Sequence, residues 1–184
     1  MHAVSARRNR LADGHDHHGQ RWHLQLPSEG EPADSGPPSV VVRVRAASKV
    51  VTFVVTHVHT PFAGSIHVRQ LRALAAARST WGERVAICGD FNTPPWSGPL
   101  REFASDASLR DLYGDRGWRA YSWPTWNWAL RVPIDNCFVS NDVFVTDHHN
   151  GPATGSDHFP LVIDLAVSRD RSTRNTRSAP TITR

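Results

Sequence analysis

The stretch RVAICGDFNTPPWS, Arg84–Ser97, decides how the chain is read. Val85, Ala86, Ile87 and Cys88 make a short unbroken apolar run, the pattern of a strand covered on both faces. Gly89 follows, then an acid, Asp90, and a carboxamide, Asn92. Pro94 and Pro95 then stiffen the exit. By itself GDFN is an Asx turn closing a strand. With suitable neighbours it is the rim of a phosphate site.

On the N-terminal side, SIHVRQLRALAAARS places Val68, Leu71, Leu74, Ala75 and Arg78 at helical spacing, which predicts an amphipathic helix. Before it, SVVVRVRA alternates as a half-buried strand does, and KVVTFVVTHVH is apolar on both faces, as in a central strand. These two are expected to pair as a hairpin through Ala47–Lys49. On the C-terminal side, Ser97 is placed to cap a short helix, GPLREFAS. An irregular Trp-rich stretch covers 105–131. Three strand candidates follow: PIDNCFVS, DVFVTDH and PLVIDLAV, the last two joined by a loop. The order predicts a mixed α/β fold with sheet strands and outer helices, over residues 39–167. Residues 1–38, interrupted by Gly and Pro, are expected to form a flexible leader, and residues 168–184 a disordered basic tail.

The chain has 184 residues, enough for one domain with a real core, and 39% hydrophobic residues fit a globular protein. No apolar run approaches the ~20 residues of a membrane helix. The first twenty residues hold no apolar h-region, so no secretory signal is read there and a cytoplasmic location is expected. Cys88 and Cys137, each within an apolar run, read as buried thiols of a reducing compartment. The formal charge of +4 is carried by 168–184, which hold five Arg and one Asp. The rest balances at 16 basic and 16 acidic residues. A general nucleic-acid-binding surface is therefore not indicated, although the tail itself offers contact with phosphates.

Four short stretches put acids, histidines or a carboxamide at strand ends: THVHTP with His57, GDFN with Asp90 and Asn92, PID with Asp135, and GSDHFP with Asp157 and His158. Strand ends of one sheet converge on one rim. Three carboxylates there repel one another unless a cation or a protonated His joins them, and a hard divalent ion such as Mg²⁺ suits oxygen ligands. Phosphoryl transfer needs such charge neutralisation, an aligned water and a stabilised leaving oxygen. A carboxylate orients water, a His held by a carboxylate acts as base or donor, and Asn92 donates N–H without adding negative charge. Each stretch alone has a plainer meaning: a turn, a surface loop, a paired structural acid. Their series shifts the balance.

That series, THVHTP…RQLRAL…ICGDFNTPPWS…PIDNCFVS…GSDHFPLVIDL, resembles the endonuclease/exonuclease/phosphatase superfamily over roughly Ser39 to Val167, the C-terminal half to two-thirds of its domain. The resemblance implies a four-layer α/β sandwich and hydrolysis of phosphodiesters or phosphomonoesters with Mg²⁺ or Mn²⁺. It implies that Asp90 activates the attacking water, Asn92 binds the scissile phosphate and His57 stabilises it in the transition state. Asp157 and Asp90 would lie at the metal, His158 would act on phosphate or water, and Asp135 would orient His158. Nucleic acid, phospholipid and small phosphate esters are all possible substrates.

The family's domain opens with a strand ending in Asn and another ending in a metal-binding Glu. Residues 1–38 offer only Asn9 in ARRNRLA and Glu29 and Glu31 in SEGEP, neither in a strand pattern. The N-terminal strands therefore read as missing, the chain as truncated and weakly active alone, with a partner chain as one source of the missing strands. The alternative is a non-catalytic pseudoenzyme or interaction module that retains the fold. DGHDHHG, with His15, His17 and His18, offers at most loose Zn²⁺ or Ni²⁺ contact. GWRAYSWPTWNWALRVPID reads either as a loop packed by aromatic burial or as a stacking wall for a base, sugar or lipid head.

Overall fold

The computed structural model describes residues 12–15, 21–25, 36–46, 48–113 and 120–167. Its first sheet has seven strands: β1 (Ala12–His15), β2 (Arg21–Gln25), β3 (Ser39–Ala46), β4 (Lys49–His57), β5 (Val85–Asp90), β6 (Arg110–Asp111) and β7 (Asp135–Val139). They run in the order β1-β2-β3-β4-β5-β7-β6. β8 (Val143–Asn150) and β9 (Leu161–Val167) form a separate antiparallel pair. The helices are α1 (Ser65–Ala77) and α2 (Gly98–Asp106).

The expected hairpin forms, with Ala46 opposite Lys49 and Ser39 opposite Thr56. β4 then crosses through α1 to the parallel strand β5, the βαβ connection that a buried parallel strand requires. β5 alternates between two cores, as its unbroken apolar run predicted. Val85 and Ile87 pack with Val54, Leu71, Leu74, Leu100, Phe103 and Phe138 beneath the two helices. Ala86 and Cys88 pack toward the other face, with Val51, Tyr113, Val139 and Val143 and the inner residues of β8 and β9. Phe91, Phe103 and Phe138 meet with ring centroids 5.1–5.8 Å apart, edge and tilted contacts that add to their burial. The layers are therefore helices, long sheet and short sheet, an α/β sandwich.

Four expectations are revised. The span 1–38 is not all leader: β1 and β2 lie in it, β2 pairing with β3 from Trp22↔Val44 to Gln25↔Val41. An open β3 edge offers unpaired N–H and C=O groups, and the preceding chain takes them up. On α1, Leu71, Leu74 and Ala75 meet the core as expected, but the buried residues beside them are His67 and Gln70, Val68 is only partly buried, and Arg78 lies in the 3₁₀ turn that follows. β4 is central but not covered throughout: Val50 and Val55 are exposed. Finally, Cys88 and Cys137 are not free thiols. Antiparallel pairing of β5 with β7 sets them directly opposite, Cα atoms 4.0 Å apart, and they are joined as a disulfide. Such bonds belong to oxidising environments. The tail 168–184, the Glu29–Glu31 segment, His17, His18 and Trp118 lie outside the described residues. No helix among the described residues is long and apolar enough to cross a membrane.

Ser97 caps α2 as expected, its Oγ accepting from the Leu100 N–H at 3.4 Å. Ser97→Ala is expected to lower stability by about 1 kcal/mol in urea unfolding, since it leaves that N–H without its cap.

Candidate active site

β4 ends at His57 and β5 at Asp90, side by side in parallel register, and β7 begins at Asp135, opposite Asp90. Directly paired residues project from the same face. Three chemistry-bearing side chains thus stand in a row on the face that the short sheet covers. The loop from β8 to β9 brings in Asp157 and His158. It is tied down by the Phe159 N–H to Ser122 O (2.8 Å) and the Thr125 N–H to Asp157 O (2.9 Å).

GDFN is both a turn and a rim. Asp90 Oδ1 accepts the Asn92 N–H at 2.7 Å, closing an Asx turn. Asn92 takes φ +52°, a left-handed conformation that Asn tolerates. Its Nδ2 then donates to Val58 O (2.8 Å) and lies 3.1 Å from His57 Nε2. His57 Nε2 is 3.5 Å from Asp90 Oδ2. His158 Nδ1 donates to Asp135 Oδ2 at 2.8 Å, which fixes the ring's orientation and aims Nε2 at Asp90 Oδ2, 3.9 Å away. Asp135 is itself set by its N–H, which donates to Ser122 Oγ (3.3 Å). Burial raises the Asp90 pKa above the usual carboxylate value, and the negative charge of Asp135 raises it further. The Asn92 N–H, His158 and His57 pull the other way.

His57, Asp90, Asn92, Asp135 and His158 are therefore gathered in one contact network. Asp157 sits at its margin, where its Oδ2 accepts the Trp123 indole N–H at 3.3 Å. Trp123 also stacks at a tilt near His158, centroids 6.4 Å apart. Two residues that the sequence reading passed over brace the site from behind. His67 Nδ1–H donates to His59 O (2.6 Å), and the His59 N–H donates to Gln70 Oε1 (2.8 Å). Both polar atoms of the backbone two residues beyond His57 are thereby held by α1. The signal was present: a His and a Gln at core positions of an amphipathic helix need partners.

A divalent cation fits this rim only in an open form. Among the described residues no three His, Cys, Asp or Glu side chains are gathered to hold a metal. The described glutamates, Glu83 and Glu102, are exposed. Glu83 lies before the opposite end of β5, and Glu102 pairs with Arg72 on the helical layer. Asp90, an acid disfavoured as an anion by burial and by Asp135, is nonetheless the kind of single carboxylate that Mg²⁺ uses together with waters and substrate phosphate.

The profile of the Endonuclease/Exonuclease/phosphatase family matches residues 3–158. The chain belongs to this family. No curated protein matches it by sequence. Among solved structures, D. rerio TDP2 complexed with a single-strand DNA product is 15% identical with a TM-score of 0.57, over 71% of this chain and 62% of that one. The mannosyl-6-phosphatase Bt3783 of Bacteroides thetaiotaomicron VPI-5482 is 19% identical with a TM-score of 0.55, over 80% and 65%. The human Nocturnin catalytic domain with bound sulfate is 18% identical with a TM-score of 0.52, over 82% and 54%. At these identities the likeness establishes the fold. This family member spans between half and two-thirds of each of those chains.

Proposed function

We propose that the rim hydrolyses phosphodiester or phosphomonoester bonds with the help of a divalent cation, and that this chain by itself is weakly active. The supporting observation is the network of His57, Asp90, Asn92, Asp135 and His158, linked by contacts of 2.7–3.9 Å at three adjacent strand ends. When bound, Mg²⁺ or Mn²⁺ would neutralise phosphate charge beside Asp90, with Asp157 as the further acid on the rim. Asp90 orients the attacking water and takes its proton. Asn92 turns an N–H to a non-bridging phosphate oxygen. His57 donates to the phosphate as negative charge builds. His158, oriented by Asp135, acts on the phosphate or the water.

Hydrolysis of bis(p-nitrophenyl) phosphate by the purified chain, with Mg²⁺ or Mn²⁺ and with EDTA, tests this. Slow hydrolysis that requires the metal is expected, and none above the metal-only blank sinks the proposal. Asp135→Asn is expected to slow the reaction roughly 10²-fold, because the carboxylate that selects the His158 tautomer is lost. Unchanged kcat would remove Asp135 from the mechanism.

A second function, a non-catalytic module retaining the fold, is favoured by one observation: no three-residue metal-binding group is assembled among the described residues. The two-stranded β8/β9 sheet also has edges to which a partner chain adds strands in this view. A metal titration followed by calorimetry separates the two functions, since only the enzyme requires binding that Asp90→Ala removes.

A further inference from the structure

Two residues connect α1 with the rim through their backbone. Val58 and His59 have every N–H and C=O group occupied. The Val58 N–H donates to Asp90 O (2.9 Å), and Val58 O accepts from Asn92 Nδ2 (2.8 Å). The His59 N–H donates to Gln70 Oε1 (2.8 Å), and His59 O accepts from His67 Nδ1 (2.6 Å). One residue is thus tied to β5 and the turn after it, the next to α1. His67 and Gln70 are 2% and 5% exposed, at helix positions where Leu would pack without a polar atom. His67 Nε2 is moreover buried with no hydrogen-bond partner among the described residues, an arrangement that costs stability. What the two side chains contribute in return lies at His59.

We infer that His67 and Gln70 are positioning residues that set which way the Asn92 amide points. The effect on hydrolysis rests on the phosphoesterase function above; the setting of the amide does not. Val58 C=O and His59 N–H belong to one planar peptide unit and point in opposite directions. Gln70 therefore holds one side of the plane whose other side holds Asn92. His67 fixes the next carbonyl, so the plane cannot swing about its far end. A carbonyl oxygen only accepts, so Val58 O takes the nitrogen of the Asn92 carboxamide and rejects its oxygen. The second Nδ2 proton is left on the rim side, where His57 Nε2 is 3.1 Å away. Turned over, the amide would put Oδ1 in that place. A phosphate oxygen arriving there would meet an acceptor, and the two would repel. Donor or acceptor at the rim thus depends on a peptide plane that α1 holds from behind.

The test follows the Asn92 side-chain amide by NMR in the full chain labelled with ¹⁵N. Gln70→Met and His67→Leu keep the bulk of each side chain and remove the acceptor or the donor, with folding checked by circular dichroism. Both are expected to shift the Asn92 Nδ2 resonances toward those of a free carboxamide. His67→Asn, whose Nδ2 donates from nearly the place of Nδ1, is expected to restore the wild-type spectrum. In hydrolysis of bis(p-nitrophenyl) phosphate, Gln70→Met is expected to cost roughly tenfold and Asn92→Ala roughly 10²-fold. Added to Asn92→Ala, Gln70→Met should cost less than about twofold more, because the group it positions is already gone. Three results would overturn the inference: Asn92 resonances unchanged in both Gln70→Met and His67→Leu, His67→Asn behaving as His67→Leu does, or the full loss from Gln70→Met persisting without the Asn92 amide. No metal-dependent hydrolysis by wild type would end the phosphoesterase function, and the spectra would still decide what sets the amide.

Discussion

Asp90→Asn is expected to lower hydrolysis of a phosphodiester roughly 10²- to 10⁴-fold, the range for loss of a positioned general base, and at the same time to make the metal-free protein more stable. Both effects come from one environment. Burial and the facing Asp135 penalise the Asp90 anion, against the weaker support of the Asn92 N–H, His158 and His57. Its folded pKa therefore lies above its unfolded value, near 3.8. A group of this kind favours the fold when protonated, and that contribution is lost as the pH rises through the folded pKa. Asn removes the charge, keeps an oxygen for the Asn92 N–H and has no ionisation to lose. In urea unfolding without metal, Asp90→Asn should gain on wild type between pH 4 and pH 7. A variant less stable than wild type at pH 7 would show that Asp90 is held by favourable contacts, and that no functional acid is being kept at a cost in stability.

The largest structural effect is expected at the neighbouring residue. Gly89 has φ +147°, and a Cβ there would lie 1.9 Å from the Thr56 carbonyl oxygen and 2.9 Å from its carbon. Thr56 is the registered partner of Gly89 across the parallel β4/β5 pair, so the obstacle is backbone and cannot swing away. Gly89→Ala must push the strands apart where they deliver His57 and Asp90. A loss of at least about 3 kcal/mol is expected in urea unfolding, together with loss of hydrolysis. A change below about 1 kcal/mol would mean that the rim relaxes freely and that the His57–Asp90 spacing is not set by this contact.

Much of this was legible in the chain. VAIC has no polar face, and it became a strand covered on both sides. Ser39–Ala46 alternates, and it became the hairpin partner of β4. Ser97 precedes a proline-started helix, and it caps that helix. His57 and Asp90 fell at strand ends because turn residues follow them, and Asp135 at a strand start after Pro133, so the meeting of these three on one rim followed from sheet geometry. Other features had no local signature. The disulfide depends on Cys88 and Cys137, 49 residues apart in sequence, meeting at one rung of an antiparallel pair. The brace on His59 depends on α1 docking with His67 and Gln70 inward. β1 and β2 carry a weak strand pattern, and the open edge of β3 recruits them.

The sequence by itself indicated the elements from β3 to β9 other than β6, the family and the candidate rim residues, because periodicity, caps and turn chemistry act over a few neighbours. Only the tertiary structure decided which rim groups touch. It joined His158 to Asp135, turned Asp157 toward Trp123, pressed Gly89 against Thr56 and left Phe62, Trp126 and Trp128 facing outward. Those outcomes rest on register between strands distant in sequence and on where each loop is anchored to the sheet. Both are set by packing the whole core, and neither is written in any short stretch of the chain.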